Sequence, residues 1–223
     1  MKGLFITFEG TEGSGKSTQI QLLEAKLRAL QAPVRFLREP GGTPIGEQIR
    51  HTLQHSAQSQ AMTAEAELLL INASRAQLVR EVIRPALEAG EWVICDRFYD
   101  STVAYQGYGR ELDLQQVGSM IDFAVGGTRP DLTLLLFVPV EVSEGRRAQR
   151  QATRAEQPDR MELADREFFL RVEKGYRAVA KADPGRIKWI DATQEIQAVA
   201  QEVSNAVQRL VQVLAPQWGK ALG

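Results

Sequence analysis

Apolar positions in this chain fall into short continuous runs, separated by longer stretches in which they recur at helical spacing. Leu4-Phe5-Ile6-Thr7-Phe8 is apolar, β-branched and aromatic throughout, the signature of a strand covered on both faces. Ile20, Leu23, Leu27 and Leu30 then mark one stripe of a helix. Val34 to Leu37 reads as a second strand and runs into Arg38-Glu39-Pro40-Gly41-Gly42-Thr43, a turn in which Thr43 can cap a helix with Pro44 at its first position. The polar stretch from His55 to Thr63 is predicted to be a loop. A long helix is predicted from about Ala64 to Ala89; Pro85 should kink it or end it near Arg84, because proline lacks an N–H and crowds the preceding turn. Trp92 to Asp96 is a buried strand ending in a carboxylate, and Leu114 to Val125 is a helix closed by Gly126-Gly127. Leu132 to Val138 is the most apolar strand and the expected centre of the sheet. Lys188 to Asp191 is a last strand, and Ile196, Val199, Val203, Val207, Leu210 and Leu214 share one face of a final helix.

The octet Gly10-Thr11-Glu12-Gly13-Ser14-Gly15-Lys16-Ser17 sits between the first strand and the first helix and matches G-x-x-x-x-G-K-[ST]. Its glycines let backbone N–H groups turn inward around phosphate oxygens, and the helix N-terminus adds its positive end. Lys16 can reach the β- and γ-phosphates of ATP, and the Ser17 hydroxyl can ligate Mg²⁺. The ATP-binding candidates are Gly10, Thr11, Glu12, Gly13, Ser14, Gly15, Lys16, Ser17 and Thr18. Alternating strands and helices around such a loop predict an α/β fold of the P-loop NTPase type: three layers, α/β/α, with a central parallel sheet of about five strands. No repeat, low-complexity tract or linker divides the chain, so 1–223 is expected to be one domain.

Two further stretches carry chemistry. Residues 144–166 are poor in apolar side chains and hold Arg146, Arg147, Arg150, Arg154, Arg160 and Arg166. In a helix, Arg146, Arg150 and Arg154 fall on one face. Such a helix can be a solvated one with paired charges; beside a phosphate loop it reads as a lid, over about 143–163, that brings guanidinium charge to a transferring phosphoryl group. The second stretch, Asp96 to Gly107, leaves the carboxyl end of a buried strand, where open α/β sheets bind ligands. Asp96 is placed to position Mg²⁺ through water, or else to cap a turn. Arg97 beside it suits bidentate binding of an acceptor phosphate. Cys95 reads as a small core residue. His51 and His55 stand at i, i+4, but no Glu follows His51, so the H-E-x-x-H pattern is absent and no metal is expected there.

Composition narrows the class. With 27 basic and 28 acidic residues the formal net charge is −1, which offers no bulk attraction to nucleic acid. A single cysteine excludes an internal disulfide framework and fits a reducing compartment. No apolar run approaches a membrane span, and Met1-Lys2-Gly3 before the first strand is too short for a secretory signal. A cytoplasmic protein with no nucleic-acid or membrane partner is expected.

Taken together, Phe8 to Thr18, Arg38 to Thr43, Asp96 to Gly107, Pro130-Asp131-Leu132-Thr133, Asp159-Arg160-Met161-Glu162 and Ile190-Asp191-Ala192 resemble the thymidylate kinases, most closely the bacterial form with an arginine-rich lid. The resemblance spans the whole chain. It implies a single nucleoside-monophosphate-kinase domain that transfers the γ-phosphoryl group of MgATP to dTMP, giving dTDP and ADP for dTTP biosynthesis, and it implies a homodimer. By position, Glu12 would hold the deoxyribose 3′-hydroxyl, Arg97 the acceptor phosphate with Arg38 nearby, and Arg75 the thymine edge. Ser101, Thr102 and Gln106 would line the nucleoside pocket, with Pro40 in its wall, and Tyr105 would crowd the place of a ribose 2′-hydroxyl. Glu162 would help hold the magnesium or the sugar. Lys16 and Arg97, with one or more of Arg146, Arg150 and Arg154, would be the catalytic residues.

Two positions depart from the family pattern. Where some members carry a catalytic arginine in the phosphate loop this chain has Gly13, so the lid should supply the charge. Where the family has a Phe that stacks on the base this chain has Ile71, which loses a stacking contribution of about 1 kcal/mol unless Phe98 or Tyr99 takes it over. A kinase for another nucleoside monophosphate and a regulatory P-loop ATPase are the alternative readings.

Overall fold

The computed structural model describes residues 3–56, 59, 61–153, 161 and 163–216. Five parallel strands form the sheet in the order β2-β3-β1-β4-β5: β1 (Phe5–Glu9), β2 (Val34–Arg38), β3 (Trp92–Asp96), β4 (Leu132–Phe137) and β5 (Ile187–Asp191). The α/β architecture expected from the alternation is therefore the one observed. The centre, however, is β1 and not the more apolar β4. Apolar content reports coverage of both faces, which β1 and β4 share, and it does not rank interior strands by position.

Alternate residues of β1 serve opposite layers. Leu4, Ile6 and Phe8 pack with α1 (Lys16–Ala29) and α9 (Ile196–Leu214) through Leu23, Leu27, Val203 and Val207. Phe5 packs on the other face with Leu78, Val79 and Ile83 of the long helical segment and with Val117 and Ile121 of α6 (Leu114–Val125). A third cluster joins Tyr105 and Leu135 to Phe168, Phe169, Val172 and Tyr176 of α8 (Arg166–Ala182). Each such buried side chain contributes about 1.5–3 kcal/mol relative to exposure, so the strand ends that carry the site rest on a rigid support.

Local signals set most boundaries. The Thr43 hydroxyl accepts the Gly46 N–H and opens α2 (Pro44–Gln54), with Pro44 in the first turn as expected. Thr63 does the same for α3 (Ala64–Leu78). Pro85 does not end the segment at Arg84. A π-helical turn, Val79–Ile83, precedes it, and the helix resumes as α4 (Arg84–Glu88). The Arg84 N–H reaches back to Val79 O, so the wider turn relieves the clash a proline ring makes with the carbonyl four residues earlier. A second π segment, Val103–Gly109, follows the short α5 (Tyr99–Thr102) in the stretch that leaves β3. No helix among the described residues is long and apolar enough to cross a membrane.

Candidate active site

The register pairs Phe8 of β1 with Asp96 of β3, so the two chemically loaded turns leave the sheet side by side. At the end of β1 the loop turns through Gly10, Gly13 and Gly15, all with positive φ. A Cβ on Gly10 would stand 2.3 Å from Leu136 O, which is why no other residue fits there. Gly15 caps α1 in the left-handed region. The Lys16 ammonium is folded onto the loop, donating to Gly10 O at 2.9 Å and Thr11 O at 3.0 Å. Burial and the neighbouring Arg97 charge bring its pKa down to about 8, against the pull of Asp96, Glu12 and Glu9. Ser17 and Thr18 are exposed at the mouth of the same cleft.

Arg97, the first residue after β3, has φ +69° and gives its N–H to Phe8 O at 2.9 Å. A left-handed arginine is a strained residue held by its surroundings, a condition that concentrates at functional sites. Its guanidinium is gripped on both edges. One nitrogen donates to Glu12 at 2.7 Å and lies 3.4 Å from the Tyr105 hydroxyl; the other donates to Ser101 and to Tyr176, each at 3.1 Å. Tyr105 in turn donates to Glu12 at 2.6 Å. Burial works to raise the Glu12 pKa, but Arg97, Lys16 and the Tyr105 hydroxyl outweigh it and leave the carboxyl below its ordinary value. Behind this ring stands Glu9, which accepts from Phe98 N at 2.7 Å, Tyr176 at 3.1 Å and the Ser101 hydroxyl. Its pKa is pushed up to about 7 by burial first and Asp100 second, partly offset by Arg97 and the Ser101 and Phe98 hydrogen bonds.

A cleft of about 460 Å³ runs from the loop past Arg97 to a more enclosed end lined by Ile71, Arg75, Phe98, Thr102 and Gln106. Arg75 is 2% exposed. It spends five hydrogen bonds on protein: 2.8 and 2.6 Å to Glu39, 2.9 Å to Thr102, 3.2 Å to Phe98 O and 3.3 Å to Asn72. A guanidinium has five donors, so a base edge can be served only by exchanging one of these bonds. The other Glu39 oxygen is buried and has no hydrogen-bond partner among the described residues. Pro40, joined to Glu39 by a cis peptide, lines the cleft, and its carbonyl accepts from Arg50 at 2.9 Å. Arg38 is half exposed and held by Glu47 at 3.0 Å. Phe98 lies at the cleft wall, edge-on to Phe5 at 4.9 Å; Tyr99 does not reach it, being packed between the guanidinium groups of Arg129 and Arg186 at 5.0 and 5.2 Å.

The arginine-rich stretch begins as a regular helix, α7 (Val140–Thr153). It leans directly on the phosphate loop: Ser143 donates to Glu12 O at 2.8 Å, and Arg146 bridges Gly13 O at 3.2 Å and Ala192 O at 3.1 Å. A Cβ on Gly13 would lie 3.2 Å from Arg146 Cβ and 3.1 Å from Ser143 O. The space that a side chain at 13 would need is thus already taken by α7. Arg150, one turn on, lines the cleft. Arg147 lies over Phe169, its Cζ 3.7 Å from the ring centroid. Arg154 and Glu162 lie outside the described residues.

Among the described residues, Asp96 carries a buried oxygen with no hydrogen-bond partner, and no group of three or more His, Cys, Asp or Glu able to hold a metal occurs. Asp96 and the exposed Ser17 hydroxyl offer oxygen donors of the kind a magnesium ion takes. The residues that sequence reasoning missed are Glu9, Glu39, Glu67 and Tyr176. All are buried groups that act on a neighbour, and Glu9 alone had a sequence signal, a carboxylate closing an otherwise apolar strand.

The family model described as Thymidylate kinase matches residues 8–203. The chain is similar to a thymidylate kinase of Pseudomonas savastanoi pv. phaseolicola, 46% identical over 213 residues that cover 96% of this chain and 99% of that one. A thymidylate kinase of Kosmotoga olearia is 46% identical over 200 residues, 90% of this chain and 93% of that one. The crystal structure of thymidylate kinase from Ehrlichia chaffeensis is similar with a TM-score of 0.74 at 34% identity, covering 93% of this chain and 99% of that chain.

Proposed function

The chain belongs to the thymidylate kinase family, and we propose from its own residues how it transfers the γ-phosphoryl group of ATP to dTMP, giving dTDP and ADP. The observation that carries the reading is the meeting of two anion sites in one cleft, Lys16 with its loop after β1 and Arg97 just after the adjacent β3. The loop N–H groups and Lys16 hold the donor phosphates. Arg97 holds the acceptor phosphate, and Glu12 the sugar 3′-hydroxyl, with Tyr105 closing the space of a 2′-hydroxyl. The attacking group is a phosphate oxygen whose second pKa is near 6, so it is already ionised at neutral pH and needs no general base. Catalysis is then positioning and charge neutralisation.

Among the lid arginines, Arg150 is the one we assign to the transferring phosphoryl group, because it lines the cleft. Arg75 reads the base by releasing its longest bond, that to Asn72. Ser17 and Asp96 would hold a magnesium ion, which would supply charge neutralisation on the donor phosphates. The exposed Leu69, Leu114 and Phe123 on the neighbouring helices α3 and α6 support a homodimer, and the lone buried Cys95 supports a reducing, cytoplasmic setting. The test is ADP release from MgATP with and without dTMP, dUMP, dGMP, AMP and thymidine. A rate that depends on dTMP supports the reading; release indifferent to every monophosphate overturns it.

A further inference from the structure

We propose that Glu67, a wholly buried carboxylate on α3, sets the polarity of the base-reading wall by fixing the side-chain amide of Gln106. The inference rests on the reading that the cleft takes a pyrimidine nucleotide. Glu67, Ile71 and Arg75 recur every four residues along α3 and all line the cleft. The Glu67 carboxylate accepts from Gln106 Nε2 at 2.7 Å and from Arg110 at 3.3 and 3.2 Å. Arg110 is itself held over the Phe168 ring at 4.6 Å, with Met161 Sδ 3.6 Å from one nitrogen.

A carboxylate only accepts and a guanidinium only donates. The nitrogen end of the Gln106 amide therefore has one favourable direction, toward Glu67, and its carbonyl oxygen is turned away, toward the cleft that Gln106 lines. A glutamine otherwise offers either end with similar ease. Fixed in this way, Gln106 spends an N–H on Glu67 and presents its acceptor end to the cleft.

The neighbouring group has the opposite polarity. Arg75 donates only, and Glu39 fixes it as Glu67 fixes Gln106. Thr102, which accepts from Arg75 at 2.9 Å, precedes Gln106 by one turn of the same segment, so donor and acceptor stand next to each other. A donor beside an acceptor complements a ring edge that carries a carbonyl next to an N–H. Thymine and uracil present that edge. Cytosine presents the reverse, a ring nitrogen acceptor next to an amino group, and would meet like against like at both positions. A buried site built for one hydrogen-bond pattern rejects the other strongly, because its polar groups are left unpaired. Glu67 is thus a positioning residue for specificity, acting through Gln106.

The test compares kcat/KM for dTMP, dUMP and dCMP in the wild type and in Glu67→Gln. The substitution ends the acceptor-only constraint and lets the Gln106 amide turn over. The dTMP:dCMP ratio is expected to fall by about tenfold or more, while the dTMP:dUMP ratio and the KM for ATP stay close to wild type. An unchanged dTMP:dCMP ratio in a folded Glu67→Gln enzyme overturns the inference and leaves the kinase reading intact. If Glu67→Gln does not fold, Gln106→Leu decides: a fall in the same ratio supports the proposal, and a ratio held at the wild-type value overturns it. A wild type inactive on dTMP would instead overturn the functional reading, and this inference with it.

Discussion

Glu12 and Arg97, 85 residues apart in sequence, meet at 2.7 Å across the mouth of the phosphate loop. The contact ties the phosphate loop to the turn that leaves β3, and the Tyr105 hydroxyl, 2.6 Å from the same carboxylate, completes it. If Glu12 holds the sugar 3′-hydroxyl, Glu12→Ala should erase the preference for dTMP over its 3′-deoxy analogue. The ratio of kcat/KM values for the two substrates is expected to drop about tenfold or more, toward one. Steady-state kinetics with both nucleotides checks this, and a preference that survives contradicts the role.

The two described arginines on the cleft side of α7 should separate kinetically. Arg146 braces Gly13 and Ala192, so Arg146→Ala should raise the KM for ATP by several-fold with a modest change in kcat. Arg150 lines the cleft, and Arg150→Ala should fall on kcat, by about 10²–10³-fold, the scale of losing one charge-stabilising group. Initial-rate kinetics at varied ATP distinguishes the two; equal effects on KM from both variants would remove Arg150 from the transition state.

Glu9 gives the enzyme a titration near neutrality. Its pKa, raised from 4.5 to about 7, means that its folding contribution is fully present below pH 4.5 and lost as pH rises through 7. For activity the direction is opposite. Only the ionised carboxylate accepts all three bonds, from Phe98, Ser101 and Tyr176, that steady Arg97. The acid limb of kcat/KM for dTMP should therefore contain a step near 7, above the substrate phosphate's own step near 6. Glu9→Gln should abolish the upper step and leave the lower one. A profile identical to wild type would show that Glu9 does not act through Arg97.

Ile71 lies on the face of α3 between Glu67 and Arg75 and lines the cleft. Ile71→Phe should restore an aromatic wall and lower the KM for dTMP by about threefold to tenfold, the equivalent of roughly 1 kcal/mol of stacking. An unchanged KM for dTMP would place the base elsewhere.

The sequence exposes the parts of this protein that chemistry confines to a short window. The phosphate loop, its strand and its helix are legible because glycine conformations, Lys16 and Ser17 must be contiguous. The Thr43 cap and Pro44 are legible for the same reason. The α8 helix was equally present, in Asp165 as cap and Phe168, Val172 and Tyr176 at helical spacing, yet the arginine-rich pattern before it draws the reading to a stop at Arg166. Glu39 and Glu67 lie beyond sequence reasoning because each acts on a residue 36 or 39 positions away, and Glu9, visible only as a carboxylate closing an apolar strand, acts on one 92 positions away. Arg75 shows the same limit from the other side: its position suggests a base contact, but only the structure reveals that its donors are already engaged. The π turn before Pro85 belongs to this class too, since a proline inside a helical pattern signals a break and gives no sign of the wider turn that accommodates it.

The most direct test of the account follows label from [γ-³²P]ATP in the wild type and in Arg97→Ala, with dTMP as acceptor. The account predicts label in dTDP for the wild type. In Arg97→Ala it predicts a kcat/KM for dTMP lower by about 10²–10³-fold, the loss of a bidentate charge-assisted contact, with the KM for ATP little changed. Label released as inorganic phosphate whether or not dTMP is present, or full transfer to dTMP by Arg97→Ala, would contradict it.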